Sequence, residues 1–309
     1  MTDHDPQRES PDFGQEVRAS DGVDALPGRL ERYGSAKSRA IDQAHFMRQF
    51  DSFATVSARV EKCGTYLLFR HYYTVDKMRL HAANFCKYHL LCPLCAIRRG
   101  AKALKAYLDR FEVIRAEQPR LRPFLVTLTV KDGPDLRERF EHLYSAQKEL
   151  WKRKQRGRGC VLDVVHGAVW SYEFKRGSGS GLWHPHLHMI ALAPVQPDQD
   201  ALRDEWRHIT GDSFIVDVRP ISQEDPVSGF LEVFKYAVKF ADQDHADTLH
   251  CWNTFKGVRL IGSAGCFRGV DVPDDLCDES GLDELPYVEL LAAWHHGRYH
   301  LRQLVPIGE

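Results

Sequence analysis

Apolar positions along the chain change their period several times, and each change marks an element. Thr65–Tyr73 (TYLLFRHYY) is β-branched and aromatic and predicts a strand. Ala96, Leu104, Leu108, Phe111 and Ile114 recur at helical spacing and predict a helix from roughly Cys95 to Glu117, ended by Pro119 and Pro123. Phe124–Val130 (FLVTLTV) reads as a strand, Asp132-Gly133-Pro134 as a turn, and about 135–155 as a helix rich in Lys, Arg and Glu that Gly157–Gly159 break. Ala168–Phe174 and His184–Ala193 read as strands joined by the hairpin loop Arg176–Gly181 (RGSGSG). A helix over Asp198–Ile209, a strand over Phe214–Val218 and a helix over Gly229–Ala241 follow.

From Phe124 onward the predicted order is βαββαβ and then a helix. That order suits an α+β fold in which helices pack on an antiparallel sheet, of the ferredoxin or RNA-recognition type. With 309 residues, 43% hydrophobic and 28% charged, the chain has the composition of a globular protein and not of a disordered, collagen-like or coiled-coil one. Apolar runs such as Met189–Val195 are too short to span a bilayer, and Met1–Ser10 has no apolar segment of the secretory kind. The expectation is a cytoplasmic protein with no membrane partner, its eight cysteines serving as thiols or metal ligands.

Charge divides the chain. Residues 1–35 carry four Lys/Arg against eight Asp/Glu, and residues 271–309 carry two against nine. The stretch between them is net basic and suggests a polyanion partner. Residues 1–40 mix Asp, Gly, Pro, Ser and Arg without a period and are expected to be disordered; 271–309 are expected to form an acidic tail.

Cys92-Pro-Leu-Cys95 has the spacing of a zinc knuckle, since two intervening residues let both thiolates reach one tetrahedral ion. Cys63 and Cys86 would complete a closed, structural site within a Cys-rich segment at 60–100, with His89 a rival for one place. A redox pair is the other reading of a cytosolic C-x-x-C. Cys160, Cys251, Cys266 and Cys277 lack paired spacing.

In the run His184-Pro185-His186-Leu187-His188 alternate residues of a strand share a face, so His186 and His188 point the same way. Two imidazoles so placed can hold a divalent ion and need a third ligand, which Glu173 could supply across the hairpin. His184 lies on the same face. On the last helix Phe230, Val233, Phe234, Ala237, Val238 and Ala241 form the buried stripe, and Glu232, Tyr236 and Lys239 converge on the opposite side. A tyrosine hydroxyl, with a pKa of about 10, needs a cation or metal to become a nucleophile. Lys239 can stabilise developing negative charge and Glu232 can accept a proton.

These elements, in this order, resemble the HUH endonucleases, and among them the plasmid rolling-circle replication initiators. Phe124–Lys131 resembles their first motif, His184–Met189 (HPHLHM) the second and Glu232–Lys239 (EVFKYAVK) the third. Phe85–Gly100 and Gly257–Gly269 are similar to the family's cysteine-rich and downstream segments. The resemblance covers roughly 60–270, with a nicking-joining core at 101–270. One departure is the five residues between Cys86 and Cys92, one more than in many relatives, which leaves the places of His89 and Cys86 open.

The resemblance implies that Tyr236 is the nucleophile, that His186 and His188 bind the metal and that Glu232 activates a later water. It implies Mg2+ or Mn2+ at the catalytic site and Zn2+ at the cysteines. Attack at the double-strand origin of a plasmid would give a 5′-phosphotyrosine and a free 3′-OH, with termination by strand transfer or hydrolysis. The implied partners are origin DNA, single-stranded at the nick, a host helicase and a polymerase. Two other readings remain: an HUH transposase or relaxase, and a zinc-bearing DNA-binding regulator without nicking activity.

Overall fold

A computed structural model describes residues 16, 21–157, 159–177, 179–235, 239, 243–279 and 281–304. In chain order the elements are helices α1 (Leu26–Met47) and α2 (Ala54–Lys62), strands β1 (Tyr66–Tyr72) and β2 (Lys77–Ala83), and helix α3 (Pro93–Glu117). Then come β3 (Arg122–Thr129), α4 (Leu136–Gln155), β4 (Gly167–Arg176), β5 (Trp183–Ala193), α5 (Gln199–Thr210) and β6 (Val216–Pro220). The chain ends with α6 (Pro226–Phe234), α7 (His245–Phe255), β7 (Ile261–Gly265), β8 (Val288–His295) and β9 (Arg298–Leu304). No helix among the described residues is long and apolar enough to cross a membrane.

Two compact units result, and both are α+β with antiparallel sheets. The first comprises Met1–Lys102, Asp244–Leu249 and Pro273–Glu309; the second comprises Ala103–Gln243 and His250–Val272. In the first, the strand order is β2-β1-β8-β9. Here two expectations are corrected. The stretch to residue 40 is helical from Leu26: Tyr33, Ala36, Ala40, Ala44 and Met47 recur at helical spacing and are fully buried. Alanine carries little hydrophobic contrast, so the stripe is hard to see among its Lys and Arg neighbours.

Nor is 271–309 a tail, because Val288–His295 pairs with β1 and with β9 inside the first sheet. One of its acids is part-buried in an ion-pair cluster of this unit. Asp278 lies 2.5 Å from Arg98 and 2.8 Å from Arg29, and it accepts the Leu80 amide at 2.7 Å. Arg98 also meets Glu16 at 3.1 Å. Burial alone would push the Asp278 carboxyl up; Arg98 and Arg29 more than reverse this and hold it well below the usual carboxylate range.

In the second unit the sheet order is β6-β3-β5-β4-β7, all antiparallel. Local signals set the helix ends. Asp135 caps α4 by accepting the Glu138 amide, Asp198 caps α5 by accepting from Asp200 and Ala201, and Gly211 closes α5 in the left-handed region. Alternation along β4 assigns its two faces. Even-numbered Tyr172 and Phe174 meet Phe140 of α4 edge-on at 5.4 and 5.5 Å, and Phe255 stacks on Phe174 at 4.4 Å. A Phe140→Ala change in this cluster would cost about 3–5 kcal/mol.

The odd-numbered face carries α6. Ser171 donates to the Val233 carbonyl at 2.6 Å, while Phe230 and Phe234 of α6 pack against Phe111 and Tyr107 of α3 at 5.3 and 5.2 Å. Helix α6 thereby stands beside the row of β4 and β5 side chains that includes Glu173, His186 and His188.

Candidate active site

Strand register builds the site. His186 of β5 pairs with Glu173 on one side and Thr129 on the other; His188 pairs with Ser171 and Thr127. All therefore share one face. Oε2 of Glu173 lies 3.0 Å from Nε2 of His186 and 3.6 Å from Nε2 of His188, and the three ligand atoms all fall within 4.8 Å of one another. The hydroxyl of Thr127 meets Nδ1 of His188 at 3.1 Å, which directs Nε2 toward the carboxylate.

Burial and charge act differently on His188 and Glu173. It lowers the His188 pKa to about 4, against the pull of Glu173, so the ring is neutral at pH 7 with a lone pair available. Burial would raise the Glu173 pKa, but Lys239 and the two histidines hold it well below the ordinary range and the carboxylate stays charged. Its second oxygen, Oε1, is buried and has no hydrogen-bond partner among the described residues. A buried, unpaired carboxylate oxygen is costly unless a cation completes it. Two imidazoles and one carboxylate make a three-ligand set of the kind that leaves positions open for substrate.

Helix residues reach the same carboxylate. Lys239 Nζ donates to Glu173 Oε2 at 2.6 Å and lies 4.0 Å from Glu232, which also pairs with Lys235 at 3.2 Å. Tyr236, with Ala237, Val238 and Ala241, lies outside the described residues. The structure thus joins Glu173, His186, His188, Lys239 and Glu232 in one place. His184 stands apart from the ligand group, its Nδ1 held by Asp132 at 2.6 Å. Thr127 and Asp132 were missed in the sequence. The first is legible only once β3 and β5 are in register, and the second reads as an ordinary turn residue before Gly133.

The second cluster of candidate ligands belongs to the other unit. Cys63, Cys86, Cys92 and Cys95 are buried with all four sulfurs within 4.8 Å of one another, and His89 is not in this group. Cys63 Sγ is 3.5 Å and Cys86 Sγ 3.6 Å from Cys95 Sγ. Four thiolates about 2.3 Å from a tetrahedral zinc would stand about 3.8 Å apart, so the set fits such an ion. Gly64 makes the approach of Cys63 possible: its φ is +65°, and a Cβ there would lie 2.3 Å from Leu94. The thiols of Cys63, Cys86 and Cys95 all donate toward Cys92, whose pKa falls well below the ordinary thiol value. Cys160, Cys251, Cys266 and Cys277 lie outside the cluster and form no disulfide among the described residues.

Residues 77–288, more than half the chain and including both clusters but for Cys63, match the replication-protein family. The chain belongs to this family, the Rep initiators of plasmid rolling-circle replication. Its relatives include the Rep protein of Streptococcus pneumoniae, 25% identical over 79% of each chain. The Rep protein of Staphylococcus aureus is 28% identical over 59% of this chain and 82% of its own. That of Lactiplantibacillus plantarum is 26% identical over 61% and 63%. No solved structure matches the chain. Membership in the Rep family makes plasmid replication initiation, and with it binding of origin DNA, the setting for both clusters.

Proposed function

We propose that the second unit is an HUH nicking-joining core that opens one strand of the plasmid's double-strand origin. The observation that carries this reading is the convergence of Glu173, His186 and His188 with Lys239 and Glu232, since Tyr236 lies between those two in sequence. The order β3-α4-β4-β5-α5-β6, with β6-β3-β5-β4 as neighbours, supports a ferredoxin-like core of the HUH kind.

The Tyr236 oxygen attacks the scissile phosphorus and gives up its proton to solvent, a new phosphotyrosine bond forms at the 5′ end, and the bond to the 3′ oxygen breaks, that oxygen taking a proton from solvent to leave a 3′-OH. A divalent ion, Mg2+ or Mn2+, bound by His186, His188 and Glu173 would polarise the scissile phosphate as a Lewis acid. Lys239 supplies the positive charge that stabilises the attacking oxygen, and Thr127 fixes the ring of His188. Glu232 accepts the proton of a water or a second 3′-OH at termination. Zinc at the four cysteines would be structural. Origin DNA, a host helicase and a polymerase are the partners, and the cytoplasm is the place of action.

Single-stranded origin DNA with Mn2+ should yield a protein–DNA adduct that survives denaturant, and Tyr236→Phe should yield none. An equal adduct in Tyr236→Phe would remove this nucleophile from the scheme.

A further inference from the structure

One pair of positions along the sheet from the metal-ligand row, on the same face, Lys175 of β4 pairs with His184 of β5. Lys175 is exposed, and no hydrogen bond or ion pair among the described residues engages its amine. His184 is different: Asp132 takes its Nδ1 at 2.6 Å, which leaves Nε2 as the nitrogen open to a ligand. Its ring is part-exposed and lies 5.5 Å from that of His186.

The support behind His184 is built from both ends. Asp132 follows β3, and its other oxygen accepts from Ser180 of the hairpin loop at 2.6 Å. The loop closes on Asp132 so tightly that a Cβ at Gly177 would lie 2.6 Å from Asp132 Oδ2 and from Ser180 Oγ. The neighbouring Gly133–Trp183 bridge pins the same corner. A histidine anchored this firmly, beside an unpaired lysine, forms a positive and polar step next to the metal ligands.

We infer that Lys175 and His184 form a second phosphate subsite, which holds one of the two DNA phosphates flanking the scissile one. The inference rests on the proposed nicking reading. It adds a residue-level account of how a single strand is held in register: the scissile phosphate lies over the Glu173–His186 row, and its neighbour one strand repeat away over Lys175–His184. Successive like-facing positions on a strand are about 6.6 Å apart, a step of chain length comparable to one nucleotide of an extended strand. Asp132 is a positioning residue that acts through His184.

Two measurements test this. In a Tyr236→Phe background, Lys175→Gln should lower the slope of log Kd against log salt by about 0.7 for single-stranded origin DNA, the contribution of one phosphate. In the nicking-competent protein, a methylphosphonate at one of the two flanking phosphates should raise KM about fivefold, with kcat within twofold, as expected for a partly exposed charge contact. Lys175→Gln should raise KM similarly on natural DNA and show no further loss on that modified strand. Asp132→Asn should shift KM and not kcat, and only on natural DNA. A Lys175→Gln protein as sensitive to both methylphosphonates as its parent, or one with an unchanged salt slope, overturns the subsite. Wild-type protein that forms no adduct at all would instead defeat the nicking reading, while the salt-slope comparison would still decide the subsite.

Discussion

Lys239 and His186 meet the same oxygen of Glu173, the amine at 2.6 Å and the imidazole at 3.0 Å. Helix and sheet are therefore tied through one buried carboxylate, whose second oxygen has no partner among the described residues. Charge is what holds the arrangement, because a neutral side chain of the same shape would lose both the lysine and the attraction for a cation.

Glu173→Gln keeps that shape and removes the charge. Mn2+ affinity should drop by at least the tenfold that even the loss of an outer partner costs, read from free Mn2+ by electron paramagnetic resonance. Unchanged affinity would take Glu173 out of the ligand set.

Glu232→Ala should separate two steps of one reaction. Adduct formation on origin DNA should persist, because the Tyr236 oxygen is still present. Release by hydrolysis should slow by roughly 10²–10⁴-fold, the usual worth of a general base. A gel time course reads this directly, and complete loss of the first cleavage would mean that Glu232 serves Tyr236 or the metal.

At the cysteines, Cys92→Ser or Cys95→Ser should abolish bound zinc, measured by elemental analysis, and lower the melting temperature, since a closed site adds its binding energy to folding. A double variant that melts like the parent and holds no zinc would show the cluster to be dispensable.

Acid stability should report on Asp278. Its folded pKa is depressed, so its contribution is whole above the unfolded value of about 3.9 and drains away as pH falls below that toward the folded value. Asp278→Asn should flatten the fall of melting temperature below about pH 4. At pH 7 it should cost about 3–5 kcal/mol, since Arg98 and Arg29 stay buried with a charge lost. A parent-like acid profile would assign the acid lability to other groups.

Much of the second unit was legible in the sequence because its strands are apolar enough to announce themselves. The Phe124 strand, the HPHLHM strand and the 135–155 helix stand where period and turn residues put them. Glu173 was reachable by counting back across a short hairpin. Thr127 and Asp132 were not, because their roles come from register and loop closure rather than from residue type. The first unit was harder. Helix α1 buries alanines that give a weak stripe, and β8 and β9 follow an acidic segment in which Asp278 is paired with Arg98 and Arg29, residues far away in sequence.

The pairing of β1 with β8 has a consequence for how the chain is made. Tyr66 finds its neighbour in Ala293, more than two hundred residues later. The four-stranded sheet cannot close while the ribosome is still translating the middle of the message. The second unit, whose sheet draws only on Arg122–Gly265, has all its strands by then. Domain-wise folding during synthesis would let it form first. Until Val288–His295 is available, β1 presents an uncovered edge, a state open to wrong pairing. Early termination of translation would thus leave a nascent catalytic unit joined to an unfinished sheet, a natural substrate for chaperones and proteases.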